Sequence, residues 1–84
     1  MKPAREAPRT TLCLAQACHD AGVPRGVVNV VTGDSGMISR KLCLSPVIRK
    51  VTLTGSAPVG QELLRLCAEV VKPVTMELGG HNPV

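Results

Sequence analysis

No phenylalanine, tyrosine or tryptophan occurs among the 84 residues of this chain, and that absence limits what it can fold into more than any other feature. Aromatic side chains bury roughly 150–250 Å² each and supply much of an ordinary core. Here a core must be closed by Val, Leu, Ile, Met, Cys and Ala alone. A chain this short holds one small domain or part of a larger one. With 44% hydrophobic and 19% charged residues, its composition is that of a globular protein rather than a disordered one.

The missing rings also bear on partners. A net charge of +4 suits nucleic acid in principle, but single-strand binders stack bases on aromatics, and the ten Lys and Arg residues are scattered. No nucleic-acid partner is expected. No apolar run is long enough for a bilayer, and the first residues lack the layout of a signal peptide, so no membrane is expected either. The cysteines are Cys13, Cys18, Cys43 and Cys67. With His19 and His81 they match no standard zinc spacing, and no metal site is expected. Cys13, Cys18 and Cys67 sit in helical stretches where a free thiol acts as a small hydrophobe. Cys43 and Cys67 are each expected on a helix facing packing partners, as reduced structural thiols in a reducing compartment.

Helices and strands alternate along the chain. Residues 8–21 predict a helix opened by Pro8 and stopped by Gly22 and Pro24. Residues 27–31 (VVNVV) are a β-branched run suited to a doubly covered parallel strand. Gly33, Asp34, Ser35 and Gly36 provide turn and capping chemistry for a helix over 36–44, ended by Pro46. A second strand is expected over 47–53, and a third helix over 57–71. That helix carries its apolar stripe on Val59, Leu63, Leu66, Cys67 and Val70. A third strand is expected over 72–78. The order predicts an α/β fold: a parallel sheet of about three strands with covering helices and right-handed crossovers. Both ends look cut, since no strand precedes the first helix and another could begin at Pro83 and Val84. A piece of a larger domain is the expectation.

Three places could carry chemistry. At Thr54-Gly55-Ser56-Ala57-Pro58-Val59-Gly60 a strand runs through a tight turn into a helix, whose free amides and dipole favour an anion. Ser56 can cap the helix or bond a phosphate. Met76-Glu77-Leu78-Gly79-Gly80 puts a carboxylate at the end of a parallel strand, where open α/β sheets bind ligands. Glu77 can serve as a general base or simply pair at a strand end. Lys2, next to Pro3, can bind a ribose or phosphate or stay solvated.

Taken together and in order, these segments resemble the aldehyde dehydrogenase superfamily over essentially all of the chain. Lys2-Pro3-Ala4 with Pro8 is similar to the family's Lys-Pro-Ala/Ser-Glu-x-x-Pro. The stretch from Ala21 to Val31 (AGVPRGVVNVV) looks like its Ala-Gly-hydrophobic-Pro-x-Gly-Val-hydrophobic-Asn-Val segment. Thr52-Leu53-Thr54-Gly55-Ser56 looks like its Phe-Thr-Gly-Ser turn, and Met76 to Gly80 like its glutamate signature. The segment Pro46 to Val51 and the run Gly79-Gly80-His81 are closest to succinate-semialdehyde and 2-oxoglutarate-semialdehyde dehydrogenases.

The resemblance implies that residues 1–84 are part of a Rossmann-like NAD(P)-binding domain. Its enzymes oxidise an aldehyde to a carboxylic acid with NAD or NADP as acceptor. Lys2 would then bind the adenosine ribose, and Ser56 with the Gly55–Gly60 turn the pyrophosphate. Glu77 would activate the deacylating water, with Leu78 and Gly79 beside the nicotinamide. The family's nucleophilic cysteine would fall beyond Val84 and its oxyanion asparagine before Met1, so a chain inactive alone is expected. The complete enzyme would take a small aldehyde and assemble as a homo-oligomer in the cytoplasm, or in the mitochondrial matrix of a eukaryote. Arg5 stands where the family usually has a glutamate on the ribose hydroxyls, which favours tolerance of NADP. Ala57 replaces a usual Thr, and Leu53 a usual Phe. A non-catalytic nucleotide-binding module and a structural remnant that binds nothing are the alternatives.

Overall fold

The computed structural model describes residues 1–80. The element order is α1 (Pro8–Asp20), α2 (Ser35–Leu44), β1 (Val51–Gly55), α3 (Ala57–Ala68) and β2 (Val74–Leu78). The chain divides into two compact units, the first over Met1–Ser35 and the second from Gly36 onward. The possible strand start at Pro83 and Val84, and the resemblance at His81, lie outside the described residues.

In the first unit, α1 begins with Pro8 in its first turn, where the missing N–H costs nothing and the fixed φ suits a helix. It ends in a pair of bonds from Val23 N–H to the Cys18 carbonyl and from Gly22 N–H to the His19 carbonyl, both 3.0 Å. Gly22 sits at φ 85, so this is a Schellman ending with glycine at its left-handed position. The helix buries none of its residues, and Cys13 is exposed. That corrects the expectation of a core thiol there.

The expected strand over 27–31 is not a strand. Val27 lies in a turn closed by its N–H on the Pro24 carbonyl, and the Asn29 side chain donates to the Gly26 carbonyl at 2.7 Å. Beyond it, Val31 N–H donates to the Met1 carbonyl and the Met1 ammonium donates to the Asn29 carbonyl. Those two bonds flank Val30 as in one ring of a parallel ladder. β-Branched residues favour an extended chain, but a strand needs a neighbour along its length, and among the described residues these ladder-type bonds run to Met1.

The second unit is a βαβ unit with α2 before it. β1 and β2 are parallel, with Val51 opposite Val74 and Gly55 opposite Leu78. Among the described residues they form a sheet of two strands, against an expectation of about three. β1 starts later than expected because Pro46 and Val47 lie in a turn and because its first ladder bond runs from Val51 N–H to the Pro73 carbonyl. Pro73 has no N–H to give, so it can bound the ladder but not extend it.

Along β1 burial alternates, with Thr52 and Thr54 exposed and Val51, Leu53 and Gly55 half-buried. Val51, Leu53, Val74 and Met76 pack onto a core of Cys43, Leu63, Leu66 and Cys67. Burying Leu63 and Leu66 contributes roughly 1.5–3 kcal/mol each. The buried side of α3 is Gly60, Leu63, Leu66 and Cys67, whereas Val59 and Val70 are exposed. The apolar stripe is therefore turned from its expected line, and a glycine lies within it.

α3 closes at Ala68, short of the expected Val71. Its end repeats the bond pair of α1: Lys72 N–H to the Cys67 carbonyl at 2.9 Å and Val71 N–H to the Ala68 carbonyl at 3.2 Å. The left-handed position is taken by Val71, at φ 53.

Candidate functional site

Parallel strands deliver their C-terminal ends to one edge, and ligands of open α/β sheets gather there. The register puts Thr54 opposite Glu77 and Gly55 opposite Leu78, so the turn after β1 and the carboxylate of β2 lie on neighbouring strands at the same level. The pairing continues one step past the strands through Gly79 N–H on the Gly55 carbonyl at 2.9 Å. The edge thus gathers Gly55, Ser56, Gly60, Glu77 and Leu78. Lys2 and Arg5 belong to the other unit.

Ser56 ends the strand in extended conformation (φ −79, ψ 153) and its hydroxyl makes no capping bond to α3. Its carbonyl accepts the Gly60 N–H at 3.0 Å, the first bond of the helix. Pro58 has no N–H, so the Ala57 and Val59 amides are the first-turn donors without a helical partner. An exposed hydroxyl and such amides at the positive end of a helix suit an anion. No acidic residue lies in this first turn to oppose one.

Gly60 has a packing role that its sequence position does not reveal. A Cβ placed there would lie 2.7 Å from Leu78 Cδ2 and 3.1 Å from Cδ1. The glycine is where the end of β2 leans onto α3, and its role is to let helix and strand approach. Leu78 nevertheless stays 40% exposed.

Glu77 is exposed, on the sheet face opposite Met76 and Leu78. Among the described residues its carboxylate has no ion-pair or hydrogen-bond partner, so it is open to an incoming water. Lys2 is half-buried and its Nζ donates to the Pro3 carbonyl at 3.0 Å, a bond that a ligand would have to replace. Arg5 is exposed in a turn.

Sequence reasoning missed Lys72. Placed in advance on a strand, it is instead buried, with Nζ donating to the Leu42 carbonyl at 3.0 Å and the Ser45 carbonyl at 2.8 Å. It caps the C-terminal end of α2, where a cation is favoured. A lysine preceding Pro73 gives no sequence signal of this. Beside it, Cys43 and Cys67 are nearly inaccessible (1% and 0%). Burial pushes the Cys43 thiol up to about 11, helped by the hydrogen bond and charge of Cys67 and opposed by Lys72. No group of three or more His, Cys, Asp or Glu among the described residues could hold a metal, and no described helix is long and apolar enough to cross a membrane. A groove of about 450 Å³ along α2, lined by Met37, Arg40, Lys41, Leu44 and Ser45, does not include the sheet edge.

Comparison with known proteins agrees with the motifs. The model of the aldehyde dehydrogenase family matches residues 1–84. The chain is 43% identical to a glutarate-semialdehyde dehydrogenase of Pseudomonas aeruginosa and 45% identical to an NADP-dependent succinate-semialdehyde dehydrogenase of Escherichia coli, covering 99% of this chain and 17% of each relative. Among solved structures, an E. coli NADP-dependent enzyme superposes with a TM-score of 0.93 at 45% identity, over 98% of this chain and 17% of that one. Succinate-semialdehyde dehydrogenase from Burkholderia pseudomallei gives 0.93 at 43%, with the same coverage. The chain thus spans about 17% of the length of these relatives. Motifs, sheet register and matches over the full chain agree: this chain belongs to the aldehyde dehydrogenase family.

Proposed function

We propose that residues 1–84 are part of an NAD(P)-binding domain, and that the turn from Thr54 to Gly60 holds the cofactor's pyrophosphate. The observation that carries this reading is Ser56, whose hydroxyl leaves the first turn of α3 uncapped at the ligand-binding edge of a parallel sheet. Ser56 Oγ and the Ala57 and Val59 amides would be the donors. Gly55 and Gly60 keep the turn and the helix–strand contact narrow, and the Leu78–Gly79 backbone would lie along the nicotinamide. Lys2 would give up its bond to Pro3 for the adenosine ribose. Arg5 would face the 2′-phosphate of NADP, because a guanidinium donates to phosphate and cannot accept from hydroxyls. When bound, the cofactor supplies the hydride acceptor.

In the complete enzyme, Glu77 would take a proton from the water that releases the carboxylic acid product, as a general base does. The substrate class is a small aldehyde, with semialdehydes favoured by the names of the relatives. The complete enzyme is proposed to assemble as a homo-oligomer. The chain alone is proposed to oxidise no aldehyde, since Cys43 and Cys67 are enclosed and Cys13 and Cys18 match no part of the family's nucleophile segment.

The test is titration of the isotope-labelled chain with NAD and NADP. Amide shifts should gather at residues 54–60, and the chain should bind NADP at least as tightly as NAD. No shifts at about millimolar cofactor, a typical weak-binding range, or shifts scattered away from this turn would leave a structural remnant as the better reading.

A further inference from the structure

Lys72 does more than cap one helix. Its backbone N–H bonds the Cys67 carbonyl at the end of α3, while its ammonium bonds Leu42 and Ser45 on either side of Cys43 and the end of α2. One residue therefore ties together the final turns of two helices. Between those turns lie Cys43 and Cys67, both fully buried and in one core cluster with Leu63 and Leu66. No disulfide joins them, and neither takes part in the site at the sheet edge.

We propose that Cys43 and Cys67 form a redox-controlled cross-link that locks α2 onto α3. The reaction is thiol–disulfide exchange with a small disulfide such as oxidised glutathione. One cysteine, as thiolate, attacks the reagent and displaces one molecule of reduced glutathione, leaving a mixed disulfide. The second cysteine then attacks its own partner's sulfur and displaces the other. Two S–H bonds are lost, one Sγ–Sγ bond forms, and two protons and two electrons end on two glutathione thiols.

Access and protonation make this a slow device. Enclosed thiols held in their neutral form are poor nucleophiles, so exchange has to wait for local opening of α2. Once it has formed, the cross-link closes the loop that contains β1, and closing a loop stabilises a fold by restricting the unfolded chain. Cys13, exposed on α1, instead remains as a mixed disulfide with the reagent.

The experiment equilibrates the purified chain in glutathione buffers of increasing oxidised fraction, with mild denaturant to permit opening. Free thiols are then alkylated and the peptides mapped. The expected product joins the peptides holding Cys43 and Cys67, persists in a Cys13→Ser, Cys18→Ser variant, and melts about 10 °C or more above the reduced chain. Glutathione attached separately to Cys43 and Cys67, either of them joined to Cys13 or Cys18, or a cross-linked chain melting below the reduced one would each overturn the proposal.

Discussion

Val71 shows how much one residue can leave unused. It occupies the left-handed position of a Schellman ending at φ 53 and is 89% exposed, so its side chain packs on little while its branched Cβ strains the backbone. The same motif on α1 has Gly22. Val71→Gly should therefore stabilise the chain, by about 1 kcal/mol, although glycine also gains entropy in the unfolded state. A lowered midpoint in urea would show that the valine contributes contacts that outweigh the strain. Cys43 gives a second expectation at this scale. Burial raises its pKa from the ordinary thiol value of 9.0 to about 11, so the native state favours the neutral thiol. That contribution is complete below about pH 9 and is lost as pH rises through about 11. Unfolding curves should fall more steeply over this window for the natural chain than for Cys43→Ala. Because the chain has no tyrosine, no phenol titrates across the same range.

At the scale of elements, the helices were legible, as were β1 and β2 in outline, but the strand bounds and the fate of 27–31 were not. Pro8, Gly22 and Pro46 punctuate helices by local backbone chemistry, which needs no partner. The boundaries of β1 and β2 depend instead on which residues find a neighbour, and VVNVV over 27–31 reads as a strand while its ladder-type bonds, among the described residues, run to Met1. The glutamate signature and the Gly-Ser turn were legible as motifs, but their alignment at one edge follows from register, which spacing alone does not reveal. Gly60 was legible as a special position, but its packing against Leu78 was not, because that neighbour is distant in sequence. Gly60→Ala should consequently do two opposing things: it improves helix propensity by roughly 1 kcal/mol and drives a methyl into Leu78. In a cycle with Leu78→Ala, the alanine at position 60 should be less favourable with Leu78 present, by about 0.5–3 kcal/mol of coupling. Additive effects would separate the two residues.

For the whole molecule, a core of Cys43, Leu63, Leu66 and Cys67 is what an aromatic-free composition allows, and large apolar residues stay outside it, among them Val27, Met37, Val47 and Leu14. Such surface is in keeping with a chain that covers 17% of its relatives' length. With purified chain, NADP and succinic semialdehyde, no reduced cofactor should form. A full-length enzyme carrying this segment should form it, and Glu77→Gln there should slow steady turnover by about 10²–10⁴-fold, the usual worth of general base catalysis, while sparing the first burst of reduction. Turnover by the chain alone, or an unaltered rate in the variant, would remove the respective assignment.

The level ends of β1 and β2 limit how this segment can change in length over evolution. Side chains alternate along a strand, so losing or gaining a single residue between Val74 and Glu77 would carry the carboxylate through the sheet to the side lined by α3 and leave a hydrophobe in its place. Only steps of two keep the side, and even those shift Glu77 along the edge by about 7 Å relative to Ser56. Residues 45–50, which join α2 to β1 without ladder bonds of their own, are free of that arithmetic. Relatives of this chain should vary in length there and stay invariant in length across β2.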